Sequence, residues 1–285
     1  MTRHCAISGP DKPIPIGSGR TLCVIAGPCV IESADLCTTI ARHLRTVCDD
    51  LELPLIFKAS FDKANRTSVD SPRGPGLDDG LDVLARIRSE FSIPVTTDVH
   101  APAQAEPVAQ IVDLLQIPAF LCRQTDLLTA VGSAAATHNR AVNVKKGQFL
   151  SPEEMAGPVG KLQSAGCKHI MLTERGTFFG YHRLVNDFIG LGDLLESSAG
   201  GNPQPAVCFD CTHSAQLPGA SATTGGRRDR VPMLACAAAA AGVDALFLEC
   251  HPDPPHAHSD ASTMLALEAV APLLAQVKAI HGVVR

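Results

Sequence analysis

Cations, hydroxyls and amides gather in one stretch of the chain, FKASFDKANRTS over residues 57–68. The apolar run Leu55, Ile56 and Phe57 has the look of a buried strand and leads straight into Lys58, Lys63, Asn65, Arg66, Thr67 and Ser68. Arg offers a planar fork matched to phosphate, and Lys a compact point charge. With hydroxyl and amide donors beside them, they suit a phosphorylated, polyhydroxylated substrate. Taken alone, the stretch reads equally well as a solvated basic turn.

The same arrangement recurs along the chain. Apolar runs end in Cys29, in Lys58 and Lys63, in Asp98 and His100, and in Arg123. Further on they end in Lys145 and Lys146, Glu174 and Arg175, Asp210 and His213, and Glu249 and His251. Two constellations stand out. Lys63, Arg66, Arg123, Lys145 and Arg175 would repel one another at a common mouth unless an anionic ligand, such as a substrate pair with two phosphates and a carboxylate, neutralised them. Partial pairing with Glu174, Asp98 or Asp126 is expected as well. Cys29, His213, Glu249 and Asp260 offer mixed S, N and O donors, suited to a borderline divalent ion such as Zn2+ or Fe2+. Singly, each has a plainer reading: a packed cysteine, a hydrogen-bonded core histidine, or, for Asp260, a cap on the last helix.

The elements that must position these residues are legible from periodicity. Short β-branched runs cover residues 22–26, 55–57, 94–97, 114–117, 141–144, 169–173, 206–209 and 245–248. Amphipathic stretches of helical length lie between them, among them 34–48, 79–90, 103–112, 126–136, 152–165 and 262–280. Strict alternation predicts a parallel sheet, and eight units in 285 residues predict a closed (β/α)8 TIM barrel. No G-x-G-x-x-G follows the first run, which disfavours a dinucleotide-binding sheet. Residues 1–20 are expected as an N-terminal extension closing the barrel bottom, with 21–285 as the catalytic barrel. Residues 198–205 and 219–230 read as loops, the second as a mobile one.

Composition narrows the partners. A net charge of −5 gives no reason to expect nucleic acid or an anionic membrane surface. The longest apolar stretch, 234–250, is interrupted by Gly242 and Asp244, so no membrane span is expected. The eleven cysteines are an odd number in a long chain, which favours reduced thiols in the cytoplasm over a disulfide framework. The N-terminus has no continuous apolar stretch of the signal-peptide kind. Cys208 and Cys211 form a C-x-x-C, but on a strand their side chains point to opposite faces. Cys250 is expected to pack away from Glu249. His251, His256 and His258 cluster in a Pro-rich loop as alternative ligands or solvent-facing side chains.

The motifs AGPCVIES, FKASFDKANRTS, RGPGLDDGL, TTDVH, FLCRQTDLL, NVKKGQF, LTERGTFFGY, DCTHSAQLPG and ECHPDPPHAHSDAS together resemble the 3-deoxy-D-manno-octulosonate 8-phosphate (Kdo8P) synthases of lipopolysaccharide biosynthesis. The resemblance spans about residues 25–265. It implies a TIM barrel, usually a homotetramer, that condenses phosphoenolpyruvate with D-arabinose 5-phosphate. It further implies that Lys63, Arg123, Lys145, Arg175 and His213 bind phosphoenolpyruvate. Asn65, Arg66, Thr67 and Ser68 would meet the sugar phosphate, and Lys58 and Asp98 line the same cavity. Lys63, Asp98, His213 and Lys58 are the implied catalytic set. Cys29, His213, Glu249 and Asp260 match the ligands of the metal-dependent branch, for Zn, Fe or Mn; an Asn replaces the cysteine in the metal-independent branch. Segments 69–72, 134–140 and 191–205 depart from the family pattern. Two alternatives remain at this stage. One is the related 3-deoxy-D-arabino-heptulosonate 7-phosphate synthase, which uses erythrose 4-phosphate and carries a Lys-Pro-Arg-Thr type of motif where Lys63, Asn65, Arg66 and Thr67 stand here. The other is a non-catalytic metal or phosphosugar sensor.

Overall fold

The computed structural model describes residues 2–64, 71–201, 203–218 and 225–284. Eight parallel strands form the barrel: β1 (Cys23–Gly27), β2 (Leu55–Lys58), β3 (Val95–Asp98), β4 (Leu114–Ile117), β5 (Ala141–Lys145), β6 (His169–Glu174), β7 (Ala206–Asp210) and β8 (Ala245–His251). β8 pairs in parallel with both β7 and β1, which closes the sheet. The surrounding helices are α1 (Ala34–Asp50), α2 (Leu77–Phe91), α3 (Ala105–Ile111), α4 (Thr125–Thr137), α5 (Ala156–Ser164), α6 (Phe188–Glu196), α7 (Val231–Ala241) and α8 (Val270–Val283). The expected TIM barrel is therefore the fold.

Strand periodicity splits the apolar residues into two layers. Val24, Ala26, Leu55 and Phe57 face outward into the large cluster shared with the helices. Cys23, Ile25, Ile56, Leu114, Ala141, Met171, Ala206, Cys208, Ala245 and Phe247 fill the barrel interior. An antiparallel hairpin precedes the barrel, His4–Ile7 against Ile14–Gly17. Its Cys5, Ile7 and Ile16 belong to the same interior cluster. Arg3 fastens the hairpin by a two-pronged bond to Asp244, with Nε–Oδ2 at 2.7 Å and Nη2–Oδ1 at 3.1 Å.

Two expectations about helices need correction. The last helix begins at Val270 rather than near residue 262. Residues 265–266 instead pair in parallel with Cys250 and His251, which takes that backbone into the sheet. Asp260 lies well before the helix and cannot cap it. The apolar stretch 234–250 divides into α7, a left-handed Gly242 at φ 82°, and β8. Gly tolerates that conformation without steric cost, so the turn can be tight. Among the described residues, no helix is long and apolar enough to cross a membrane.

Asp113 pins the lower edge of the sheet. Its fully buried carboxylate accepts from Arg88 Nε at 2.9 Å, Arg88 Nη2 at 3.0 Å, Arg140 Nη1 at 3.0 Å and the Val95 backbone N–H at 3.1 Å. Asp113→Ala would strand two guanidiniums and a strand N–H. We expect a loss of about 3–5 kcal/mol in denaturant unfolding; a loss below about 1 kcal/mol would contradict this role.

Candidate active site at the barrel mouth

The carboxyl ends of the strands carry the chemistry, as the fold demands. Gly27 ends β1 where an added Cβ would sit 1.9 Å from the Lys58 carbonyl oxygen. Only glycine lets the backbones of β1 and β2 approach so closely, and this contact brings Cys29 beside Lys58. Lys58 Nζ donates to the Cys29 carbonyl at 2.8 Å and to Glu249 Oε1 at 2.5 Å. Both charged side chains of that pair are almost wholly buried.

Around this pair stands the expected donor set. Cys29 Sγ donates to Asp260 Oδ2 at 2.9 Å. The Cys29 sulfur and the carboxylate oxygens of Glu249 and Asp260 all lie within 4.8 Å of one another. His213 Nε2 is 3.7 Å from Glu249 Oε2 and 3.7 Å from Asp260 Oδ2. The other ring nitrogen, Nδ1, donates to Asp210 Oδ2 at 2.7 Å, which fixes the ring with Nε2 facing the two carboxylates. Glu249 Oε2 is buried without a hydrogen-bond partner among the described residues.

Electrostatics point the same way. Burial pushes the Cys29 thiol well above its ordinary range, and the Asp260 and Glu249 charges push it further. Burial alone would raise Asp260 and Glu249 too, but nearby cations overcome it. His213 and Lys63 hold Asp260 low; Lys58, His213 and Lys63 hold Glu249 low. A thiol, an imidazole and two ionised carboxylates, one with an orphaned buried oxygen, fit a divalent cation that would deprotonate the thiol.

The cations occupy the rest of the mouth. Lys145 Nζ pairs with Asp210 Oδ2 at 2.6 Å and lies 3.7 Å from the centroid of the Phe247 ring. Asp210 Oδ2 is thus shared between Lys145 and His213. Its Oδ1 accepts the backbone N–H groups of Thr212 and His213. Burial would raise the Asp210 pKa, yet His213, Lys145 and Arg175 hold it far below the usual carboxylate range. Burial pulls Lys63 down, but Cys29, Glu249, Asp98 and Asp260 outweigh this and raise it above an ordinary lysine. Arg175 is buried, and its Nη2 donates to Gln216 Oε1 at 2.8 Å. Gln216 Nε2 donates in turn to Asp260 Oδ1 at 2.9 Å, linking the cation to the donor set.

Cys29, Lys58, Lys63, Asp98, Lys145, Arg175, His213, Glu249 and Asp260 therefore share one mouth. Arg123 sits on the turn after β4 with an exposed side chain. Asn65, Arg66, Thr67 and Ser68 lie outside the described residues, as does the first half, 219–224, of the loop 219–230 expected to be mobile. Of the expected acid partners, Glu174 pairs with Lys146 at 3.2 Å. Asp210 takes the larger part and Gln216 joins it; sequence reasoning set Asp210 at a strand end but in neither constellation, and did not single out Gln216. The signal for Asp210 was its place three residues before His213, ending the same strand. Cys208 fills the barrel interior and Cys211 the outer cluster, on opposite faces as expected, and Cys250 packs outward. His251 and His258 flank Glu32, with Nε2–carboxylate distances of 3.6 and 3.7 Å.

Comparison with known proteins places this geometry among relatives. The profile of the DAHP synthetase I family matches residues 6–282. A Cyanothece protein called 2-dehydro-3-deoxyphosphooctonate aldolase is 52% identical over 269 residues, covering 94% of this chain and 95% of its own. Proteins of the same name from a Geobacter species and from Pelobacter propionicus are 46% and 48% identical. Each covers all of this chain, and 99% and 100% of its own length respectively.

Proposed function

The chain belongs to the DAHP synthetase I family, and from that premise we infer that it condenses phosphoenolpyruvate with D-arabinose 5-phosphate and water, giving 3-deoxy-D-manno-octulosonate 8-phosphate and phosphate. The relatives' name carries the carbon count. A 3-deoxy-2-keto octonate phosphate is a three-carbon pyruvyl unit joined to a five-carbon aldose phosphate. Erythrose 4-phosphate would give a seven-carbon acid instead. The observation that carries the reading is one barrel mouth holding Lys63, Lys145 and Arg175 beside the Cys29, His213, Glu249 and Asp260 donors, in a chain so close to proteins named for the octonate. A non-catalytic sensor would need no such cation set.

In the reaction, C3 of phosphoenolpyruvate bonds to the aldehyde carbon, and the aldehyde oxygen gains a proton. Water adds at C2 and loses one. The C2–O bond to phosphate then breaks, the C2 hydroxyl proton passing to the departing phosphate, which leaves the ketone and inorganic phosphate. Lys145, Arg175, Arg123 and Lys63 would hold the phosphate and carboxylate of phosphoenolpyruvate. Asn65, Arg66, Thr67 and Ser68 would take the sugar phosphate, and Lys58 and Asp98 line the sugar side. Lys63 is kept protonated by its anionic neighbours, so its part is charge stabilisation at the aldehyde oxygen rather than proton removal. Holding both substrates at near-attack distance removes a large entropic barrier. A divalent ion on Cys29, His213, Glu249 and Asp260 would supply Lewis acidity toward the aldehyde and the attacking water. Zn, Fe and Mn are the candidates, and the thiolate and imidazole donors favour the first two. Asp210 would fix the His213 tautomer whether or not metal is bound.

The test is product identity. Mass spectrometry of the reaction on phosphoenolpyruvate and arabinose 5-phosphate should find the eight-carbon keto acid phosphate. Unchanged substrates with tight binding would favour a sensor.

We further propose a homotetramer. Phe120, Phe149, Phe178, Phe179, Tyr181 and Ile189 are exposed on the loops after β4, β5 and β6 and at the start of α6. Phe179 is 80% exposed and Tyr181 93%, which supports a covered surface in the assembly. Light scattering should report a mass near four chains; a stable monomer at micromolar concentration would contradict it. The hairpin's share in the interior cluster supports residues 1–20 as the floor of a barrel formed by 21–285. All eleven cysteines are unpaired, which supports a reducing, cytoplasmic setting.

A further inference from the structure

The interior of the barrel carries a polar layer where apolar side chains would normally fill it. Asp98, Gln116 and Asn143 are register partners on β3, β4 and β5. Thr173 on β6 joins them. Gln116, Asn143 and Thr173 have no exposure at all, and Asp98 retains only 7%. TIM-barrel interiors are dominated by Val, Ile and Leu. A buried amide gains little net stability over an apolar side chain of similar shape. Three buried polar side chains in one layer therefore call for a further role.

The hydrogen bonds run in one direction. Thr173 Oγ1 donates to Asn143 Oδ1 at 2.7 Å. Asn143 Nδ2 donates to Gln116 Oε1 at 3.0 Å. Gln116 Nε2 donates to Asp98 Oδ1 at 2.7 Å. From the other side, Ser60 Oγ donates to Asp98 Oδ2 at 2.5 Å. An ionised carboxylate can only accept, so it dictates which end of each amide faces which neighbour. Every donor in the series points toward Asp98, and such chains polarise in a low-dielectric interior. Among the described residues each carboxylate oxygen accepts one hydrogen bond, and Lys63 is foremost among the cations that keep the carboxylate ionised against its burial.

We propose that Gln116 and Asn143 are positioning residues, forming a one-way relay that fixes Asp98 as an acceptor for a hydroxyl of the polyhydroxylated aldehyde substrate. This rests on the reading of the mouth as a phosphosugar site. It adds a specificity device there, because a built acceptor rejects analogues that lack the matching hydroxyl. Neither amide touches substrate; both act through Asp98.

The test is a split in KM. Gln116→Met removes the donor to Asp98 at similar length. Asn143→Asp replaces the donor with an acceptor, so the Gln116 amide must rotate and present its oxygen to Asp98. In either variant the KM for the aldose phosphate should rise about tenfold or more, while that for phosphoenolpyruvate stays within about threefold. Thr173→Val should shift both by less than about threefold, since the series from Asn143 to Asp98 survives. If one of the two amide variants fails to fold, the other reads the same relay from the next strand. A folded variant with both KM values unchanged, or with both rising together, overturns the relay in favour of a structural layer. Wild-type enzyme that condenses no aldose phosphate would instead overturn the reading of the mouth, and the relay with it.

Discussion

Replacing Cys29 with Ala is expected to strip bound divalent metal from the protein and to lower kcat at least about 100-fold. The thiol is the softest donor of its set and lies 2.9 Å from Asp260 Oδ2. Its removal leaves His213 and two carboxylates, of which Glu249 is already committed through Oε1 to Lys58. The fold should tolerate the change, because Cys29 leaves no buried charge unpaired. Metal content by mass spectrometry and kcat after restoring Zn2+, Fe2+ or Mn2+ should fall together, while the metal-free forms of variant and wild type melt at nearly the same temperature. Full activity of the variant in excess chelator would sink the metal assignment.

Lys145→Met should lower kcat/KM for phosphoenolpyruvate by about 100-fold or more. The ammonium sits between Asp210 and the face of Phe247, a position that fixes it without a flexible search. Methionine keeps the apolar stem and the ring contact but carries no charge. Asp210 retains His213 Nδ1 and two backbone N–H donors, so the cost in stability should stay near about 2 kcal/mol or below. A variant with normal kcat/KM would remove Lys145 from the anion site.

The barrel was legible because apolar runs and amphipathic stretches keep different periods, and the strands end within a few residues of where the runs do. Site residues were legible because a charged residue closing a buried strand has few places to go but the mouth. What escaped was polar chemistry inside the strands. Asn143 and Thr173 sit within runs read as apolar, and their hydrogen-bonded role depends on register between strands. Gln216 matters only because Arg175 and Asp260, distant in sequence, fold to its two ends. The start of α8 was misplaced because residues 263–266 carry helical periodicity, yet Cys250 and His251 claim the backbone of Leu265 and Ala266.

The central claim is the pairing of substrates, and metal-replete enzyme tests it directly. Initial rates of phosphate release from phosphoenolpyruvate should be measured with arabinose 5-phosphate and with erythrose 4-phosphate in parallel. The account predicts a kcat/KM at least about 100-fold higher for the pentose phosphate. Equal values, or a preference for erythrose 4-phosphate, would contradict it.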